Sequence, residues 1–535
     1  MTSMDYVLTI TNGAITKTLT SSPFQVIKYL PNPPSPDEVD ELTDDATVTE
    51  TIEILVTDGS TTANNDEIND IETLLNQAAK TDPDSIIYDP SIAKVYLTLQ
   101  NSAASSQYRS WIVAGYVDHD EETMRVGWWN DDAMHVVIRI TRRYYFEATS
   151  ETQLAVSNSL VSNNTTGAPI YNPNIIKTGT GIAFVAATEK ITDSGNGLAH
   201  FLTGATITVV GSSLNDGTYT IATGGVAGEI VVNEALSNES AGAPITIVGE
   251  PCNYVEVAAA NIDTVIDAPI RLEIKNDASA DISYKDIYIG VSRLNDIANF
   301  VWFLEGENFS ATGGVDTESA SCSGGKYCAI TWAGNTEQEI GTHPLTAAML
   351  AASRGAYFRA IARLQAGSPA HTISLRLNVE LWGTVISEGP AINLKDSDYM
   401  QDLGIIQLPP SLWGQTNPKE LYLSLLAKKS GGGTIDLDFI EFFPIDYFRS
   451  LRSLNYSMAN GDYIYVDELQ KPNLVYGVDS SSNKYPVFIP RGVPLKLQNN
   501  TKQRIYIIFD EQDHTQNINR KSSVKLYYRP RRLTL

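Results

Sequence analysis

Apolar and polar residues alternate in short runs along most of this chain, and the repeat is two far more often than 3.6. Residues 6–11, 14–19 and 25–30 predict three short strands, with Asn12-Gly13, the strongest short hairpin signal, between the first two. Residues 47–56 predict a half-buried strand with Val48, Ile52 and Ile54 on one face. Residues 94–100, 108–117 and 134–146 follow as strands. In the last, Val136, Ile138 and Ile140 point inward while His135, Arg139 and Thr141 point out. One segment breaks the period. Ile68, Ile71, Leu74, Leu75 and Ala78 recur at helical spacing, with Asn64 as candidate N-cap and Glu67 three residues on, so a helix over 64–79 should lie on the sheet.

Further along, residues 149–197 begin rich in Ser, Thr and Asn, carry Pro169 and Pro173, and read as a linker. Residues 198–250 alternate short β runs with glycine-bearing turns and predict a small inserted β-barrel, an insertion that loop-closure entropy tolerates. Residues 251–452 carry strand patterns at 270–274, 287–291, 357–363, 373–381, 421–427 and 435–443, with Gly431-Gly432-Gly433 turning between the last two. They predict a two-sheet jelly roll. Residues 453–535 predict a C-terminal β unit. The expected fold class is mainly β and multidomain: a β-sandwich or barrel with one helix over 1–148, a linker, the small inserted β-barrel, the jelly-roll β-sandwich and the C-terminal unit.

A chain of 535 residues is too long for one core, and 42% hydrophobic with 19% charged residues is globular composition. The net charge of −25 opposes free binding to nucleic acid or anionic membrane, because phosphate contact needs a basic face. No Lys or Arg lies between Lys28 and Lys80. At the other end, no acid follows Asp513, while Arg520, Lys521, Lys525, Arg529, Arg531 and Arg532 do, so this tail is expected to dock on the acidic surface of a neighbouring copy. The start of the chain has neither the basic nor the apolar region of a secretory signal, and no apolar run reaches membrane-spanning length, so cytoplasmic synthesis without membrane insertion is expected. Three cysteines cannot build a disulfide framework, and Cys322 and Cys328 are expected to be reduced.

Catalytic signatures are missing from the sequence. The six histidines include no pair at i, i+4, and neither Gly-x-Ser-x-Gly nor a phosphate-binding glycine-rich motif occurs. The acid pairs Glu305-x-Glu307 and Asp436-x-Asp438 could serve a glycosidase, but oxygen-only pairs of this kind better suit a hard cation. The expectation is a protein that is not an enzyme.

The first block resembles the N-terminal domain of siphophage distal tail proteins, which share the tail-tube fold. The matching features are the N-terminal hairpin, the long loop after Pro36, the strand ending at Val56, the helix over 64–79 and the strand carrying Ile138, Thr141, Arg142, Arg143, Tyr144, Tyr145 and Phe146. The resemblance implies a homohexameric ring in a virion tail, made in the host cytoplasm, with tail tube and tail tip or hub as neighbours. DNA would be only non-specific cargo in its channel, and a channel lined by acids such as 37–45 would not retain it. The runs at 303–309, 321–327, 355–360 and 434–440 are similar to a carbohydrate-binding jelly roll of the galactose-binding-like kind. That likeness implies a structural calcium at Glu305, Glu307 and Asp438, and Trp382 and Trp413 as platforms for a host surface glycan. Two other expectations stand beside the tail ring: a virion carbohydrate-binding protein for host recognition, and a capsid or tail decoration protein.

Overall fold

In the computed structural model the described residues are 6–34, 44–101, 106–118, 133–171, 174–277, 281–292, 303–311, 313–319, 322–323, 325–346, 349–350, 353, 355–365, 372–395, 399–409, 421–453, 457–469, 474–486, 488–511 and 521–533. The chain is mainly β and multi-sheet, with one long helix among the described residues, Thr61–Ala78, here α1. A nine-stranded antiparallel sheet holds the first block. Its path runs Thr16–Thr18, Tyr6–Thr11, Val95–Asn101, Gln107–Asp118, Met134–Arg143, Thr47–Val56, Phe24–Leu30, with Phe146–Ala148 and Arg531–Arg532 alongside. The sheet curls into a half-barrel and does not close.

Helix α1 buries the expected stripe, Ile68, Ile71, Leu74, Leu75 and Ala78, against this sheet. Gly115 makes the close approach feasible, since a Cβ there would lie 2.8 Å from Leu75 Cδ2. The helix starts earlier than the sequence suggested. Ser60, not Asn64, is the N-cap: it is extended at φ −160° and accepts from the Ala63 amide at 3.2 Å. Asn64 is buried in the first turn, where its Oδ1 accepts from the Asp58 amide at 2.6 Å. The Asn12-Gly13 hairpin forms as expected, with Gly13 at φ +89°. It is tied to the helix by Asn12 Nδ2 donating to Gln77 Oε1 at 2.8 Å and by Lys17 at 2.7 Å from Glu67 and 2.6 Å from Asp70.

A two-sheet sandwich forms the middle of the molecule, and its strands come from three distant stretches. The larger sheet runs Ala168–Tyr171, Lys521–Tyr528, Ala268–Asn276, Tyr463–Asp467, Leu474–Val478, Lys484–Pro486; the other runs Tyr254–Val257, Gln503–Glu511, Ile282–Ser292, Phe448–Ser453, Phe488–Gly492. Ile270, Leu272, Ile274, Ile287, Ile289 and Ile507 meet between them. This corrects two expectations. Residues 453–535 are not a unit of their own but complete the sandwich begun by 152–171 and 254–292. Residues 149–197 are not a linker. Thr152–Leu154 and Ala168–Tyr171 join the sandwich, and Asn174–Gly179, Ile182–Val185 and Lys190–Asp193 start the next module. These strands are three to six residues long between Ser- and Asn-bearing turns, too short for a visible period.

Two modules are inserted into the sandwich. The first is a seven-stranded sheet spanning 174–251 around Phe184, Ile191, Ile207, Ile221, Ile230 and Ile247. Its end strands, Asn174–Gly179 and Ile182–Val185, do not pair, so the expected small barrel is an open sheet that also starts earlier than residue 198. The second spans 303–444 as two six-stranded sheets packed face to face, the expected jelly-roll-like sandwich but without the strands at 270–274 and 287–291. It leaves and re-enters through Ile282–Ser292 and Phe448–Ser453, which are themselves antiparallel neighbours. Leu421–Lys428 and Gly433–Pro444 belong to opposite sheets, so the turn at Gly431 and Gly432, both at φ above +80°, carries the chain across the core instead of closing a hairpin.

Candidate functional site

Within the second inserted module, Gly306 lets a 3-10 turn, Gly306–Asn308, lie directly on the last strand, where a Cβ would come 2.0 Å from the Leu437 carbonyl oxygen. This contact brings Glu305 and Glu307 toward Asp438. The fully buried Asp438 is met by the guanidinium of Arg363, also fully buried, and accepts from the Ser323 amide at 2.8 Å. The Ser323 hydroxyl donates to Glu305. Glu307 Oε2 is buried without a hydrogen-bond donor among the described residues, and burial, helped by the nearby Asp438 and Asp316 charges, pushes this carboxyl up to about 7. The expected calcium set does not fit. Arg363 already supplies the positive charge beside Asp438, and among the described residues no three His, Cys, Asp or Glu side chains gather as a metal requires. Arg363 was missed because it lies 75 positions before Asp438, in a strand whose neighbours Ile361 and Ala362 read as plain core. Cys322 and Cys328 are both buried and unbridged, and burial pushes the Cys328 thiol up to about 11.

Trp382 stands at the tip of the hairpin joining Ser374–Leu381 to Thr384–Glu388. It is 65% exposed and sits at φ +49°, followed by Gly383 at φ +76°. A left-handed tryptophan in solvent is unusual, because the bulky side chain gains no packing to offset the backbone cost. Val385 and Ile386, on the edge strand that follows, are also exposed. Trp413 lies outside the described residues, so the paired sugar platform is not described.

The third region was not foreseen. The basic tail folds back on its own chain: Arg531–Arg532 pairs with Phe146–Ala148, adding a strand to the first sheet. Arg531 is buried, with Nη1 3.0 Å from Asp44 Oδ1 and its guanidinium 3.8 Å from the centre of the Tyr145 ring. Lys496 reaches the same Asp44 oxygen at 3.0 Å, and Arg532 pairs with Asp263 at 2.6 Å. Lys525 meets Glu273 at 2.8 Å. These cations are therefore engaged within the chain, and Arg520 lies outside the described residues. A chain of −25 offers acids close at hand, and an intrachain pair costs no association entropy. Asp44 and Asp45 of the acidic stretch face these cations, Asp45 at 3.4 Å from Arg143; residues 37–43 lie outside the described residues.

No protein-family pattern matches the chain, and no curated protein is similar to it. Solved structures of infectious bursal disease virus are similar to it only distantly. The Gx strain matches at 5% identity and TM-score 0.11, covering 71% of this chain and 82% of that one. The Gt strain matches at 7% and 0.12, covering 72% and 81%. The VP2 subviral particle of that virus matches at 8% and 0.12, covering 68% and 84%. At such scores the likeness carries no argument about fold or function.

Proposed function

We propose that this chain is a structural protein of a bacteriophage tail, the distal tail protein, whose first sheet assembles as a homohexameric ring around the DNA channel and links tail tube to tail tip. One observation supports it above the others. The nine-stranded sheet ends in two edge strands, Thr16–Thr18 and Phe24–Leu30, each with a single strand partner among the described residues. Open edges invite pairing with another copy, and a ring of copies satisfies both at once. Ile27, on one of those edges, is 51% exposed. The reading involves no catalysis. Light scattering of the purified full chain, with negative-stain images of the same peak, tests it: a six-copy ring with a central hole is expected, and a stable trimer would sink it.

A second reading rests on Trp382. The exposed indole on the outer module supports a host-recognition role in which a surface glycan stacks on it. A glycan array with the wild type and Trp382→Ala separates the two readings, since the ring does not require this side chain.

A further inference from the structure

Between the first sheet and the sandwich lies a cleft of about 740 Å³, within the size range of small-molecule sites. Six basic side chains line it: Lys94, Arg109, Arg143, Lys496, Arg529 and Arg531. Five carboxylates, Asp44, Asp45, Asp84, Glu147 and Glu468, line it too, so the lining carries one net positive charge in a chain of net charge −25. Arg143 pairs with Asp45 at 3.4 Å and Asp82 at 3.3 Å, and Arg529 with Glu151 at 3.4 Å, but other wall carboxylates are shared between two cations. Asp44 Oδ1 is divided between Arg531 and Lys496, each at 3.0 Å. Glu147 Oε1 is divided between Arg109 at 3.3 Å and Arg529 at 3.7 Å. Glu468, also on the wall, is committed to Arg449 at 2.6 and 2.8 Å. Three of the wall arginines, Arg143, Arg529 and Arg531, each keep a buried Nε–H that meets no acceptor among the described residues. Buried donors left without acceptors call for an oxygen that the described residues do not provide.

The aromatic residues narrow the chemistry. The rings of Trp111, Tyr96 and Tyr145 already lie under Lys94 at 4.0 Å, Arg109 at 4.2 Å and Arg531 at 3.8 Å. Those faces are occupied by cations, so a sugar or base has little to stack on, and recognition in the cleft is ionic. We infer that the cleft binds a small polyvalent oxyanion of the phosphate class, held by Lys94, Lys496 and the surrounding guanidinium groups. Guanidinium and ammonium groups around one cavity are the donors that phosphate oxygens take in charge-assisted hydrogen bonds. The inference does not depend on the ring, because every residue it uses belongs to one copy.

Calorimetric titration of the full chain with inorganic pyrophosphate tests this. Saturable binding of one equivalent is expected, weakening steeply with added salt, and at least tenfold weaker in Lys94→Gln/Lys496→Gln. Heat no larger than that of sodium chloride at matched ionic strength would overturn the proposal, as would undiminished binding by the double variant with its melting transition intact. If the double variant loses that transition, Lys496→Gln alone decides, since Lys496 reaches the cleft from a partly exposed position; equal affinity in that variant overturns the proposal and a severalfold loss supports it.

Discussion

Arg142 grips Glu50 fork to fork inside the first core, Nε to Oε2 at 2.9 Å and Nη2 to Oε1 at 2.5 Å, with neither side chain exposed. The remaining capacity of both groups is used. Tyr29 donates to Glu50 at 2.8 Å and the Asn32 amide at 3.0 Å, while Arg142 Nη1 reaches the Arg143 carbonyl at 2.7 Å. The two residues sit on adjacent strands, where Glu50 faces Ile140 and Val48 faces Arg142, so the pair forms only in the observed register.

Removing one partner leaves a charge buried without its counterpart. Glu50→Ala is expected to destabilise the first domain by roughly 3–5 kcal/mol, whereas replacing both by apolar residues of similar volume, Glu50→Leu with Arg142→Met, costs far less. Thermal denaturation of both variants checks this, and equal losses would refute it.

Glu441 predicts a pH dependence. This carboxyl is fully buried, its oxygens accept from Asn253 Nδ2 at 2.9 and 3.0 Å, and burial pushes it up to about 8. The folded state therefore keeps a proton that the unfolded chain releases near its ordinary value of 4.5. Between those values the folded state binds more protons, so stability falls as pH rises through that window, by up to about 1.4 kcal/mol per unit from this group, and levels off above it. Glu307, pushed up to about 7, adds in the same direction over the lower part of the range. Melting temperatures of wild type and Glu441→Gln across this range should diverge in slope; parallel curves would remove Glu441 as the cause.

Calcium is not expected to bind at Glu305, Glu307 and Asp438. Arg363 neutralises Asp438, so neither millimolar calcium nor a chelator should move the melting temperature. Arg363→Met, which strips that counter-charge, should cost about 3–5 kcal/mol. A chelator-induced drop in the wild type would show that a cation is held after all.

Trp382 is the place to look for a substitution without a stability cost. Its left-handed backbone and exposed ring mean that Trp382→Asn should leave stability unchanged or raise it by about 1 kcal/mol in a thermal melt. A clear loss would mean that the indole packs against something in the native state.

Local contacts were legible in the sequence and distant ones were not. The Asn12-Gly13 hairpin and the Ile68, Ile71, Leu74 stripe are set by neighbours within a few residues, and both appear as read. Glu50 was hidden because an acid in an alternating strand reads as solvent-facing until its partner, 92 positions on, is known. The same limit hid the sandwich. Ile270, Leu272 and Ile274 plainly mark a strand, but nothing local says that it pairs with Tyr463–Asp467 on one side and Lys521–Tyr528 on the other. Among the proposed site residues, Glu305 and Asp438 do meet in the structure, through Ser323, while the arginine that decides their chemistry left no signal in spacing.

The last strand, Arg531–Arg532, completes the sheet that Tyr6–Thr11 helps to found. On a ribosome this imposes an order. The modules at 174–251 and 303–444 pair their strands within themselves and can fold as they emerge. The sandwich that carries them must wait for residues 503–528, and the first sheet lacks a strand until residues 531–532 clear the exit tunnel. Emergence of residues 521–532 is thus the step that seals the molecule, and a chain truncated before residue 521 would carry an open seam in both the sandwich and the first sheet.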